Sequence, residues 1–173
     1  MVLDLLKQRR SIRKFKPTPV EPEKIAQLCE AMLRGPSSRN RQPWEFVIVD
    51  SPELLSQLKD AKAHGTSFFA TAPLALVIAA DPQQSDVWVE DCSIAAIIAQ
   101  LQAEQLGLKS CWAELRMRPH DDVLSASEYV RKLVGLPEGF EVPIVIAIGY
   151  PDEEKSGHPR ESLPDTKVHR NHF

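Results

Sequence analysis

Glycine is scarce in this sequence, with seven in 173 residues, and no Gly-x-Gly-x-x-Gly or Gly-x-x-x-x-Gly-Lys stretch occurs. Such turns let a backbone close on a pyrophosphate or wrap a nucleoside triphosphate, so neither a Rossmann dinucleotide crevice nor a Walker loop is expected. Cysteine is equally sparse: Cys29, Cys92 and Cys111 are odd in number and never at Cys-x-x-Cys spacing. That argues against a disulfide framework and against a zinc site. The three sit in apolar periodic segments with no cation or histidine beside them, so they read as free buried thiols of a reducing cytoplasm rather than nucleophiles. No apolar run approaches the roughly 20 residues of a membrane helix. The start, Met1 to Lys7, carries an early acid and lacks a small-residue cleavage site, so no signal peptide is expected and the location reads as cytoplasmic. A net charge of −3 argues against a nucleic-acid partner for the surface as a whole.

What is present is an ordinary globular composition, 43% hydrophobic and 26% charged. The length suits one domain, residues 1–173. Apolar spacing predicts a short helix over Val2 to Arg9, an extended Lys14 to Val20, and a helix from Pro22 to Arg34 stopped by Gly35-Pro36. A strand over Phe46 to Val49 leads into a helix starting at Pro52. Leu74 to Ala80 is an unbroken apolar run, fit for a central strand. Val87 to Leu106 is the longest periodic element, with Ile94, Ile97, Ile98 and Leu101, apolar around much of its circumference and so expected inside the fold. Strands over Lys109 to Glu114 and Val142 to Gly149 flank helical stretches near Val123 to Val134. The spacing is not a regular βαβ repeat. It suits an α+β, three-layer α/β/α sandwich with a mixed, mainly antiparallel sheet. The tail from Tyr150 to Phe173 is polar and aperiodic, but Arg160, Leu163, Val168 and Phe173 suggest that another surface holds it.

Two segments carry chemistry. Arg9, Arg10, Ser11 and Arg13 place guanidinium forks and a hydroxyl at the end of a helix, a set suited to phosphate oxygens. A solvated basic face is the bland alternative. Pro36, Ser37, Ser38, Asn40 and Gln42 put short hydroxyls and two amides in one turn, which can address the edge of a heteroaromatic ring or can simply connect helix to strand. The five histidines have no carboxylate at telling spacing, and most of them read as scattered surface residues.

The Arg-Arg-Ser-x-Arg start and the Pro-Ser-Ser-x-Asn-x-Gln-Pro-Trp-x-Phe turn are two of five segments in order. The others are a long helix ending Leu106-Gly107-Leu108, then Ser110-Cys111-Trp112, and Ile148-Gly149-Tyr150-Pro151. This series resembles the nitroreductase family of FMN-dependent oxidoreductases. The resemblance implies a homodimer with FMN at the subunit interface and the C-terminal tail wrapped around the partner. It implies that Arg9, Arg10, Ser11 and Arg13 hold the phosphate, ribityl chain and pyrimidine edge. Pro36, Ser37, Ser38 and Asn40 reach the flavin from the partner, with Gln42 beside them. Trp112, Ala113 and Glu114 lay a strand end against the ring, and Arg160 is a second phosphate arginine, with His158 where some members have lysine.

By the same resemblance, NADH or NADPH delivers hydride to FMN and a nitroaromatic, quinone or similar planar acceptor then takes the electrons, in ping-pong order. No catalytic side chain and no metal are implied. Departures are visible. Only Asp81 to Asp86 separates strand from central helix, where the family often has a lid, and Leu115 stands where glycine is common. The missing lid suggests a permissive pocket and disfavours dehalogenation. A flavin-binding or redox-sensing protein without turnover is the alternative from another class.

Overall fold

The computed structural model describes Met1–Phe173. Five helices, α1 (Val2–Gln8), α2 (Pro22–Leu33), α3 (Pro52–Leu58), α4 (Trp88–Gln105) and α5 (Ala126–Leu133), surround four strands, β1 (Trp44–Val49), β2 (Leu74–Ala80), β3 (Lys109–Glu114) and β4 (Glu141–Gly149). The sheet order is β1-β2-β4-β3, with every neighbouring pair antiparallel. The expected parallel component shrinks to an isolated bridge between Ser11 and Ser110.

Alternation along the strands builds two cores. Val49, Ala75, Val77, Ala79, Cys111, Ala113, Val145 and Ala147 face α3 and α5. Trp44, Leu74, Leu76, Ile78, Ile144, Ile146 and Ile148 face α2 and α4. All seven residues of β2 are buried, as its continuous apolar run requires. The result is the three-layer arrangement expected.

Helix ends follow local chemistry. Pro22 and Pro52 occupy first turns, where a missing N–H costs nothing. The Ser51 and Ser125 hydroxyls accept the N–H groups of Leu54 and Glu128 at 3.5 and 3.1 Å. Gly107, at φ +75°, closes α4 while the Leu108 N–H returns to the Ala103 carbonyl at 2.9 Å.

Some boundaries move. The fifth helix starts at Ala126 rather than near Val123, because Asp121 Oδ1 accepts the N–H groups of Val123 and Leu124 at 2.8 and 2.7 Å and holds them in a turn. The first strand starts at Trp44, two residues earlier than expected, paired with Ala80.

The central helix differs more. Its alanines, Ala95, Ala96, Ala99 and Ala103, are buried against the sheet, while Ile94 and Ile97 are 37% and 39% exposed. Small side chains permit close approach to the sheet, and the isoleucines form an outward apolar face on this single chain.

The tail divides in two. Residues 150–152 pair with 14–16: the Lys16 N–H reaches the Tyr150 carbonyl and the Asp152 N–H the Lys14 carbonyl, each at 2.9 Å. Gly157 lies so close to α1 that a Cβ there would overlap the Lys7 carbonyl. From His158 to Phe173 every residue is exposed on the chain.

Candidate functional site

The Ser11 to Ile12 segment lies beside the first residues of β3, where the Ile12 N–H donates to the Ser110 carbonyl at 3.1 Å. At the other end of that strand the Leu115 N–H donates to Pro143 on β4 at 2.8 Å. In an antiparallel pair the backbone groups of one residue point to the same side. Odd-numbered residues of β3 therefore bond to β4, and Ser110, Trp112 and Glu114 turn their N–H and C=O groups to the open edge. Ala113 is buried between them, and the Trp112 side chain is 47% exposed.

Cations gather at the start of this edge. Burial pushes the Cys111 thiol up, while Arg13, a hydrogen bond from Ser11, Lys155 and Arg9 pull it down. Lys155 Nζ bonds the Ser11 carbonyl at 3.2 Å and Glu153 at 2.9 Å. Glu153 accepts the backbone N–H of Arg13, and that bond, with Lys155, holds its carboxyl below the usual glutamate range. Arg10 donates to the Ser156 carbonyl. The Ser110 hydroxyl is buried with no partner in the chain.

The 36–42 turn lies elsewhere. It leads into Trp44, which pairs with Ala80, so it sits at the end of the sheet that carries Glu141 and Glu114. Ser11, Lys109 and Gly149 mark the opposite end. Five strand steps, roughly 17 Å, separate the two ends. Arg39, Asn40 and Gln42 adopt φ values of 52°, 54° and 49°, a left-handed conformation that side chains other than glycine rarely hold.

Tertiary bonds fix them there. The Ser38 N–H donates to Asp91 Oδ1 at 2.8 Å, the Ser85 hydroxyl donates to Asp91 Oδ2 at 3.2 Å, and the Gln42 N–H reaches the Ser37 hydroxyl at 3.0 Å. Pro36, Asn40 and Gln42 are exposed, and Ser37 and Ser38 half-buried. The 81–87 link is a tight turn closed by Gln84 N–H to Asp81 O at 3.1 Å, so no lid stands between β2 and α4.

Arg160 and His158 do not join the arginine cluster on one chain. Arg160 pairs with Asp165 at 2.8 Å within the exposed tail, and His158 is exposed beside it.

The sequence pattern missed Asp91, Glu153, Lys155 and Lys62. Asp91 had one visible signal, a carboxylate inside an apolar helix. Lys62 Nζ bonds the Glu114 carbonyl at 2.7 Å, a contact between a loop and the end of β3 across 52 residues of sequence.

The donor set fits one elongated anionic, planar ligand lying along the β3 edge. Fixed charge stands at the Ser11 end, and outward N–H groups follow at Trp112 and Glu114.

Comparison with known proteins gives the family and the fold. The model of the nitroreductase family matches residues 6–67 and 60–150. An FMN-dependent nitroreductase from Clostridium difficile superposes with a TM-score of 0.97 at 45% identity, over 99% of each chain. A protein from Archaeoglobus fulgidus, provisionally named NADH dehydrogenase/NAD(P)H nitroreductase, is 34% identical over 97% of this chain and 96% of its own. The NADPH:FMN oxidoreductase from Vibrio harveyi, in complex with NAD+, matches with a TM-score of 0.83 at 26% identity, over 99% of this chain and 77% of its own.

Proposed function

Since the chain belongs to the nitroreductase family, we propose that it is an FMN-dependent NAD(P)H oxidoreductase reducing nitroaromatic, quinone or similar planar acceptors. The observation that carries the reading is the open edge of β3, with Arg9, Arg13 and Lys155 at one end and the outward N–H groups of Trp112 and Glu114 at the other.

Each group has a task there. Arg9, Arg10, Arg13 and Ser11 take the phosphate and ribityl oxygens, where forked guanidinium donors give charge-assisted bonds. Lys155 adds a point charge to the same patch. The N–H groups of Trp112 and Glu114 aim at the ring, fixed by the sheet and needing no reorganisation as negative charge develops. FMN, when bound, supplies two-electron transfer between a nicotinamide donor and the acceptor. Donor and acceptor use one exposed face in turn, which makes the kinetics ping-pong. The short 81–87 turn leaves that face open and favours a broad range of acceptors.

The reading includes a homodimer in which the 36–42 turn and the end of the tail complete the partner's site. Three features support it: the outward isoleucines of α4, the uncovered residues from His158 onward, and the placement of the turn and the arginine cluster at opposite ends of the sheet.

The test is a visible absorption titration with FMN, followed by NADH and NADPH consumption with a quinone acceptor. Saturation at one FMN per chain with steady consumption is expected. Binding without consumption would leave a flavin-binding protein that does not turn over, and no binding would remove the reading.

A further inference from the structure

A cavity of about 550 Å3 opens where β1 finishes and β2 begins, a size that encloses a small organic molecule. Phe15, Val20, Ile25, Leu55 and Leu74 wall it, drawn from the extended 15–20 segment, α2, α3 and the start of β2. The sequence gives no hint of it, because these elements meet only in the folded chain. In the sheet order β1-β2-β4-β3, its Asp50 and Leu74 walls continue β1 and β2. They stand two to three strand spacings, about 10–14 Å, from the β3 edge.

The walls are stiff. Four of the fourteen lining residues are prolines, Pro17, Pro19, Pro52 and Pro73, whose rings fix φ and which offer no N–H. Pro73 and Phe15 press on β4 so closely that a Cβ on Gly149 would stand 2.6 and 3.2 Å from them. The Phe15 N–H donates to the Thr71 hydroxyl at 3.4 Å, and that hydroxyl donates to the Phe68 carbonyl at 3.3 Å, which ties two rims together. A ligand entering such a cavity has little wall to order.

One charge faces this apolar space. Asp50 is the only ionisable residue in the lining, with no lysine, arginine or histidine beside it there. Ser51, the next residue, caps α3 by accepting the Leu54 N–H at 3.5 Å, and the Asp50 carboxylate is left without a hydrogen bond or ion pair in the chain. Side-chain donors are as scarce as cations. The Thr71 hydroxyl is engaged with Phe68, and only the Ser56 hydroxyl remains. An anion would meet repulsion there, and a neutral apolar molecule would leave the carboxylate unanswered. An ammonium on an apolar body satisfies both halves of the lining.

We infer that this cavity is a binding site for an organic cation, an apolar body carrying a protonated amine, with the amine at Asp50 and the body against Phe15 and Leu55. The site goes beyond the oxidoreductase reading and does not require FMN.

The test titrates the purified protein with tryptamine and follows the backbone amide signals of Phe15, Ser56 and Thr71. Saturable shifts at these residues are expected. Removing the ligand's charge with 3-ethylindole, or the protein's with Asp50→Asn, should each weaken binding about fivefold, the range of an ion pair open to solvent. Indole-3-propionate should not bind. Ser56→Trp, at an exposed position of α3, fills the cavity without touching the core and should abolish the shifts.

No saturable shift overturns the inference, as does equal affinity for the amine, the neutral indole and the acid. Contacts from the Phe173 ring to Leu55 in the ligand-free protein overturn it too, because a second copy's tail then fills the cavity. FMN binding is read separately by visible absorption and should be the same in Asp50→Asn and Ser56→Trp as in the wild type. A matching loss of FMN in both would make the two sites one and would also overturn the inference.

Discussion

Ser38 and Asp91, 53 residues apart, are joined by a 2.8 Å hydrogen bond from the Ser38 backbone N–H to a carboxylate buried in the first turn of α4. This bond anchors a turn that holds three left-handed residues without glycine. Asp91→Ala would leave the Ser38 N–H and the Ser85 hydroxyl unpaired. The expected loss is about 2 kcal/mol, read as a lower denaturation midpoint, and Asp91→Asn should recover part of it. An alanine variant as stable as the wild type would show that the bond does not hold the turn.

The phosphate grip makes a quantitative demand. Arg13→Ala removes a charge-assisted contact worth about 1.5–3 kcal/mol, so FMN affinity should weaken roughly ten- to a hundredfold. Riboflavin, which lacks the phosphate, should bind both proteins alike. If riboflavin weakened as much as FMN, Arg13 would be acting on the ring or on the fold.

Ile94 and Ile97 stand outward on α4. Replacing Ile97 with aspartate places a charge on that face without disturbing the alanines that meet the sheet. The variant should elute as a monomer in size-exclusion chromatography with light scattering and should lose bound FMN. Dimer retained at micromolar concentration would move the interface elsewhere.

Acid should loosen the junction between tail and N-terminal segment. Glu153 has its carboxyl held below the ordinary range by the Arg13 N–H and then by Lys155. A depressed carboxylate contributes stability that is fully present above its unfolded value and is lost as pH falls through the folded one. Amide exchange at Arg13, corrected for intrinsic rate, should therefore accelerate below the usual glutamate range. Glu153→Gln should remove most of that dependence.

Gly157 gives a steric test. A Cβ at this position would overlap the Lys7 carbonyl, so Gly157→Ala should lift the tail off α1 and break the contact between Arg10 and Ser156. Limited proteolysis near residues 153–160 reads the release.

Much of this was legible in the sequence where the signal is local. Pro22, Gly35 and Gly107 mark helix ends through backbone preference alone, and the apolar run of β2 announces a strand covered on both faces. The arginine cluster and the Pro-Ser-Ser turn were visible as residue chemistry. Their separation to opposite ends of the sheet was not, because strand order depends on pairing between distant segments. Periodicity likewise marked the central helix as apolar all round but could not say which apolar residues meet the sheet. Ala99 and Ile97 are both apolar, yet Ala99 is buried against the sheet and Ile97 faces outward. Lys155 and Lys62 gave no signal, since each acquires its role from a carbonyl on another element.

The turn and the arginine cluster at opposite ends of the sheet have a genetic consequence. If each site draws its two halves from different copies, a defect in Arg13 and a defect in Ser38 damage complementary halves of one site. Co-expressed, the two defective alleles would pair into mixed dimers in which one site carries both lesions and the other carries none. Two inactive genes would then restore roughly a quarter of wild-type activity under random pairing, where half of all dimers are mixed and each holds one intact site of two.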